Sequence, residues 1–189
     1  MLKRASSLNG AGRRRFLNGV SLIEVLVSIV IASIGLLALA GVNASSVRYT
    51  KMSQYRGSAT QLASDIGERM RANKAGLASY AITSSFAAQA TLPAAAATLC
   101  NSYLVTCTAA QMAAWDLQTW QVLVRNQLPE GSVYIAYQSV QVAADVWVVW
   151  RDPAVANTDD APVAASECPG GLSVAADASI RCAYFRINL

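Results

Sequence analysis

The sequence predicts an α+β protein: one long N-terminal helix packed against a small antiparallel sheet. Three observations predict it. An apolar run passes into an amphipathic pattern with no proline before Pro93. A second helical period opens at Thr108, and the C-terminal third alternates in the manner of strands. The 189 residues suit one globular domain plus an appendage.

The appendage comes first. Residues 20–42 read VSLIEVLVSIVIASIGLLALAGV, with one charge, long enough to span a bilayer as a helix. Lys3, Arg4, Arg13, Arg14 and Arg15 precede the run and should stay cytoplasmic, so the C-terminal bulk is translocated. Three readings compete. One is an ordinary signal peptide, supported by Ala38 and Ala40 in an A-x-A pattern. Another is a plain signal anchor. The third is a leader, residues 1–19, cut before the run and leaving it on the mature chain. Glu24 favours the third. A carboxylate in a membrane helix costs on the order of 2 to 3 kcal/mol at the bilayer centre and less near an end, so it needs a partner. Cleavage after Gly19 would create an amine on Val20, four residues away. In an assembly, the carboxylate of one subunit would meet the amine of the next.

Gly19-Val20-Ser21-Leu22-Ile23-Glu24-Val25-Leu26-Val27 resembles the prepilin cleavage and methylation motif of type IV pilins. Gly19 matches the residue before the cut and Glu24 the glutamate at the fifth mature position. Val20 stands where phenylalanine is commonest. The resemblance implies cleavage by prepilin peptidase between Gly19 and Val20, N-methylation of Val20 and an assembly role for Glu24.

Beyond the run, Met52, Tyr55, Ala59, Leu62, Ala63, Ile66 and Met70 recur at spacings of three and four, the mark of one helix face. One helix is therefore predicted from near Val20 to about Ala72, with an assembly half at 20–42 and an amphipathic half at 43–74. Gly35 and Gly41 are its weak spots. Residues 75–189 form the predicted head. Residues 75–99, rich in alanine, serine and threonine, read as a loop with short helical turns. Thr108-Ala109-Ala110-Gln111 has the form of a capping box opening a helix over 108–128. Its apolar face is Ala113, Leu117, Trp120, Val124 and Leu128, and Pro129-Glu130-Gly131 ends it. Strands follow around Val133, Ile135 and Tyr137, continuing less regularly through Val140 and Val142. Further strands are predicted at 146–150 and 183–189.

Cys100, Cys107, Cys168 and Cys182 read as two disulfides in an exported domain. Sequence permits three pairings; the two local ones, Cys100–Cys107 and Cys168–Cys182, are the economical choice.

The similarity also reaches past the leader. Residues 62–73, LASDIGERMRAN, are similar to the helix end of the minor pilins called PilV, the type IV pilus modification proteins. So are residues 107–117, CTAAQMAAWDL, with Leu128-Pro129 after them. This resemblance implies the type IV pilin fold and a structural subunit, not an enzyme. Such a minor pilin primes pilus assembly or forms part of the tip. Its implied partners are prepilin peptidase, other minor and major pilins and a tip adhesin. It resides in the inner membrane with a periplasmic head, then in the extracellular pilus. The rival within the class is a minor pseudopilin of a type II secretion system.

Composition excludes other classes. Histidine is absent, removing the commonest general base and metal ligand. The net charge of +4 lies in the N-terminal cluster; after residue 19, ten basic side chains face eleven acidic ones. No basic stripe remains for phosphate, so no nucleic-acid partner is expected, and no cofactor. Trp115, Trp120, Trp147 and Trp150 invite a sugar-site reading, but tryptophan in a small domain is more often core. Asp152 with Asp159-Asp160 lacks the spacing of a calcium loop and reads as solvated. No nucleophile stands in a recognisable catalytic context, which counts against a membrane-anchored exported hydrolase.

Overall fold

A computed structural model describes residues 19–153, 167–174 and 177–189 of the chain. The basic cluster before Gly19 and the Asp159-Asp160 pair lie outside the described residues. The chain divides into two compact units, Met1–Ser45 and Ser46–Leu189.

Helix α1, Leu22–Ala72, runs through both. In the first unit every described residue is exposed. The backbone is nevertheless bonded within the helix, and so are the hydroxyls of Ser28 and Ser33. Ser28 Oγ donates to Glu24 O and Ser33 Oγ to Ile29 O, each at 2.7 Å. Such i−4 bonds let serine sit in apolar surroundings without stranding a donor. Among the described residues α1 is the one helix long and apolar enough to cross a membrane.

In the second unit α1 becomes one-sided. Ala59, Leu62, Ala63, Ile66, Gly67 and Met70 are buried, the face that the three-and-four spacing predicts. This face meets helix α2, Ala109–Gln127, which buries Ala113, Leu117, Trp120 and Val124. Both arms of the capping box form. Gln111 N donates to Thr108 Oγ1 at 3.3 Å and Thr108 N to Gln111 Oε1 at 2.8 Å. Trp120 Nε1 donates to Leu62 O at 2.9 Å, pinning α2 to α1.

Three antiparallel strands follow in the order β1-β2-β3: Ser132–Gln138, Ala143–Arg151 and Ile180–Asn188. Alternation sends Val133, Ile135, Val146, Val148, Trp150, Phe185 and Ile187 into the core shared with the helices. The opposite face carries Val149, Ile180 and Cys182 against Leu172 and Val174. Beside them, Tyr134, Trp147 and Tyr184 are cross-strand partners with ring centroids 5.6 and 4.9 Å apart.

Three strand bounds differ from the sequence reading by more than one residue. β1 stops at Gln138, and Val140 and Val142 lie in the turn, where Val142 takes a φ of 45° and Val140 is 94% exposed. β2 and β3 each begin three residues early, at Ala143 and Ile180, because Ala143 and Ala144 pair with both neighbouring strands and Ile180, Arg181 and Cys182 pair with the end of β2. Residues 74–99 hold a 3-10 helix, Lys74–Tyr80, and a shorter one, Ala87–Gln89. Between them Ile82 bridges to Ile135 beside β1. At the end of α2 glycine is obligatory, because a Cβ on Gly131 would lie 2.5 Å from Val124 O. Two disulfides close loops, Cys100–Cys107 and Cys168–Cys182. The second joins β3 to the segment before Gly170–Leu172; a loop of that length contributes about 3 kcal/mol in the chain-entropy description.

Trp120 and Trp150 are both fully buried, but Trp150 Nε1 has no hydrogen-bond partner among the described residues. Trp120→Phe should therefore destabilise the head by about 1 kcal/mol more than Trp150→Phe, since it alone loses a bond. Chemical denaturation of the two variants, followed by near-UV circular dichroism, measures the difference. Equal losses would refute the pinning role of the indole.

Candidate assembly site

Gly19, Val20 and Ser21 precede the first turn of α1, and Glu24 lies within that turn. Glu24 N and Val25 N both donate to Ser21 O, at 3.0 and 3.2 Å. Ser21 thus stands at the helix start with Glu24 three residues on, a serine-x-x-glutamate pattern. A carboxylate here also faces the positive end of the helix dipole. These local roles account for an acid at the start of a helix in water. They do not account for one embedded among side chains such as Leu22, 86% exposed, and Ile23, 68% exposed.

Pairing sets Glu24 apart. Asp65, Glu68, Asp116, Glu130, Asp145, Glu167 and Asp177 each pair with an arginine at 3.6 Å or less. Glu24 has no such cation among the described residues. The surface that needs covering here is the whole circumference of an apolar helix, with a single charge near its start.

The far end of α1 carries a second constellation. Arg69 grips Asp65 through two bonds of 3.1 Å, reaches Asp116 Oδ1 at 3.5 Å and donates to Thr119 Oγ1 at 2.9 Å. Tyr80, fully buried, donates to Asp116 Oδ2 at 2.5 Å. Asn73 Nδ2 donates to Ala109 O at 2.8 Å and to the Tyr80 hydroxyl at 3.3 Å. A polar clamp thus ties the end of α1, the 3-10 turn and α2 together. Burial, and next the bond to Asp116, push the Tyr80 phenol well above its ordinary range. The clamp did not emerge as a site from the sequence. Its one available signal was Tyr80, the sole aromatic residue in 56–85.

Two of the open cavities are candidate ligand sites. A groove of about 720 Å³ runs beside β3, lined by Arg56, Thr60, Trp147 and Tyr184 among others. A smaller one of about 280 Å³ lies near Arg125, whose guanidinium is held by Gln89 O and Ala90 O. Neither brings a nucleophile and a base together. Trp147 lines the groove beside β3, and Trp120 and Trp150 are core. Among the described residues no three His, Cys, Asp or Glu side chains are placed to hold a metal.

Residues 15–40 match the prokaryotic N-terminal methylation motif, and residues 42–118 match the Tt1218-like family, described as type IV pilin Tt1218. No curated protein and no solved structure matches the chain significantly. The abutting matches, with a long N-terminal helix and a three-stranded antiparallel sheet, define a protein of the type IV pilin and pseudopilin class. Residues 42–118 are similar to type IV pilin Tt1218, and the methylation motif at 15–40 implies processing by prepilin peptidase.

The Tyr80 phenol ties the clamp to pH. An unfolded tyrosine releases its proton near ~10, whereas the folded one retains it above that value. The folded state then binds more protons than the unfolded, so this contribution is complete below pH ~10 and falls as pH rises further. Between pH ~10 and ~12 the wild type should lose more stability than Tyr80→Phe, which lacks the titrating group. Denaturation midpoints across that range test this; parallel losses would show that the phenol is not held protonated.

Proposed function

We propose that this protein is a minor pilin of the PilV type, a subunit that primes type IV pilus assembly or forms part of the tip complex. Glu24 carries the proposal: it is a carboxylate in the first turn of an otherwise uncharged run, without an arginine partner among the described residues. Its place five residues after Gly19 supports cleavage between Gly19 and Val20. The similarity of residues 62–73 and 107–117 to PilV proteins supports the narrower assignment.

In this mechanism the precursor sits in the inner membrane with residues 1–19 in the cytoplasm. Prepilin peptidase cuts after Gly19 and methylates the Val20 amine. Residues 20–42 wait in the bilayer, with the disulfide-bonded head in the periplasm. On assembly, apolar helices replace lipid around one another, and Glu24 meets the terminal amine of a neighbouring subunit. Other minor and major pilins, and a tip adhesin, are the partners this requires.

N-terminal sequencing of the mature protein should begin at N-methylated Val20. A start at Gly41 would mean an ordinary signal peptide cut after Ala40 and would overturn the proposal.

Glu24→Gln separates charge from capping, because glutamine also serves in a capping box. Translocation and cleavage should be retained, since an amide is cheaper in lipid than a carboxylate. The fraction of mature protein recovered in sheared pili should fall by about tenfold or more, because the amine is buried without its counter-charge. Equal fractions in pili would remove the assembly role of Glu24. Intact pili with a secretion defect would move the protein to the pseudopilins.

A further inference from the structure

We infer that the outer edge of β3, at Tyr184 and Arg186, is a docking site for one extended segment of another polypeptide, which adds to the three-stranded sheet as a further strand. The inference concerns the head alone and goes beyond the assembly role of Glu24. It holds whether the chain serves a pilus or a secretion pseudopilus.

The two edges of the sheet end differently. At the β1 edge the chain meets its own outward main-chain groups. Ile82 N donates to Ile135 O at 3.0 Å, and Ile135 N donates to Ile82 O at 2.8 Å. The Gln89 amide does the same two residues earlier: its Nε2 donates to Val133 O at 2.8 Å, and Val133 N donates to its Oε1 at 3.1 Å. At the β3 edge the outward residues follow from alternation. Leu189 N donates to Val142 O at 3.0 Å, so Leu189 faces β2, and the register turns Ile187, Phe185 and Ala183 the same way. Asn188, Arg186 and Tyr184 therefore face away. Asn188 O is met by Arg71, at 3.2 and 3.1 Å. Among the described residues nothing bonds to the outward N–H or C=O of Tyr184 or Arg186. The strand pairs with β2 without a break from Ile180 to Asn188, so no bulge twists this edge away. An unpaired edge of this kind is a template for another chain.

Space for such a chain is the second observation. The groove of about 720 Å³ beside β3 has Ala183, Tyr184 and Phe185 on one side and Arg56 and Thr60 of α1 on the other. The free stretch of edge is bounded by the Cys168–Cys182 disulfide and by the bond from Arg71 to Asn188. Because α1 stands beside the edge, the groove admits a single extended segment and not the edge of a second sheet with a helix of its own. Ala183 and Phe185 are half-buried where they pack against the core. A strand laid here completes their burial with every second side chain, and sets the others beside Tyr184, which is 49% exposed. Main-chain bonds supply the affinity in this mode of recognition, so the site takes many sequences and favours small β-branched residues.

The test follows amide hydrogen exchange by NMR in the full chain, held in detergent micelles. In the free protein the amides of Tyr184 and Arg186 should exchange about a hundredfold faster than those of Phe185 and Ile187, which β2 holds. The probe is a capped peptide alternating threonine and valine. At about ten times its Kd it should slow the Tyr184 and Arg186 amides about tenfold. A copy N-methylated at every residue keeps the side chains but cannot donate, and should slow neither. Arg186→Pro removes an outward N–H, which an edge strand tolerates, so near-UV circular dichroism should stay unchanged. The peptide should then no longer slow the Tyr184 amide, whereas in Arg186→Gln it still should. Protection of both amides in the free chain overturns the inference, as does a peptide that leaves them unmoved. Equal slowing by the N-methylated copy overturns it too, since main-chain bonds would not be the cause. Loss of the fold in Arg186→Pro would mean that this N–H faces β2, and would also overturn it. None of these outcomes touches the role of Glu24.

Discussion

A helix that is apolar around its whole circumference must find non-aqueous surroundings outside its own chain, and α1 begins as such a helix. Its backbone needs no partner, because every interior N–H and C=O is bonded along the axis. Its side chains do. No described residue of the first unit is buried, and the first fully buried residue of α1 is Ala59. Lipid and the packed helices of a fibre meet the same demand, because each removes the same apolar surface from water. One sequence can therefore serve both before and after assembly without refolding. Under the proposed assembly, the group that distinguishes the two surroundings is Glu24, since lipid would offer it no fixed counter-ion and a neighbouring amine would.

The second half of α1 solves a different problem. Its apolar stripe contributes one side of a core, with the 3-10 helix Lys74–Tyr80, α2 and the inner face of the sheet supplying most of the rest. Burial alone is non-directional and would tolerate sliding of one helix over another. Directional bonds remove that freedom at several levels. Trp120 holds Leu62, Arg69 holds Asp116 and Thr119, and Arg71 donates to Asn188 O at 3.2 and 3.1 Å. The last of these ties α1 to the end of β3. Close approach assists them: a Cβ on Gly67 would stand 3.2 Å from the Ile187 side chain.

Much of this was legible because it follows from short-range rules. The spacing from Met52 to Met70 gives the buried face of α1, and Thr108 to Gln111 gives a capping box whose two bonds both form. The strands were legible where β-branched and aromatic residues alternate and blurred where they do not. Ala143 and Ala144 have little strand preference of their own; pairing to Gln138 and Tyr137 on one side and to Asn188 and Ile187 on the other makes them strand. Val140 and Val142 fail for the converse reason, since strand-forming side chains cannot hold a strand across a reversal of direction. The clamp was the least legible feature. Arg69, Asn73, Tyr80 and Asp116 are separated by up to 47 residues and meet only once α1 and α2 have packed.

That clamp and Glu24 show opposite uses of a carboxylate. Asp116 is enclosed, but Tyr80, Arg69 and their neighbours satisfy it within the chain, so its burial fixes one geometry of the head. Glu24 belongs to a surface that has no chemistry of its own with which to answer it. A satisfied buried charge specifies the fold of a monomer, whereas an unsatisfied one on an apolar surface specifies what must be added to that surface. The addition has to be apolar over nearly its whole length and cationic at one height. A helix of the same kind, displaced along its axis and ending in a free amine, meets both conditions. Lipid meets only the first, and so, under the proposed assembly, the charge would bias the chain toward its own class of partner without strengthening its hold on the membrane.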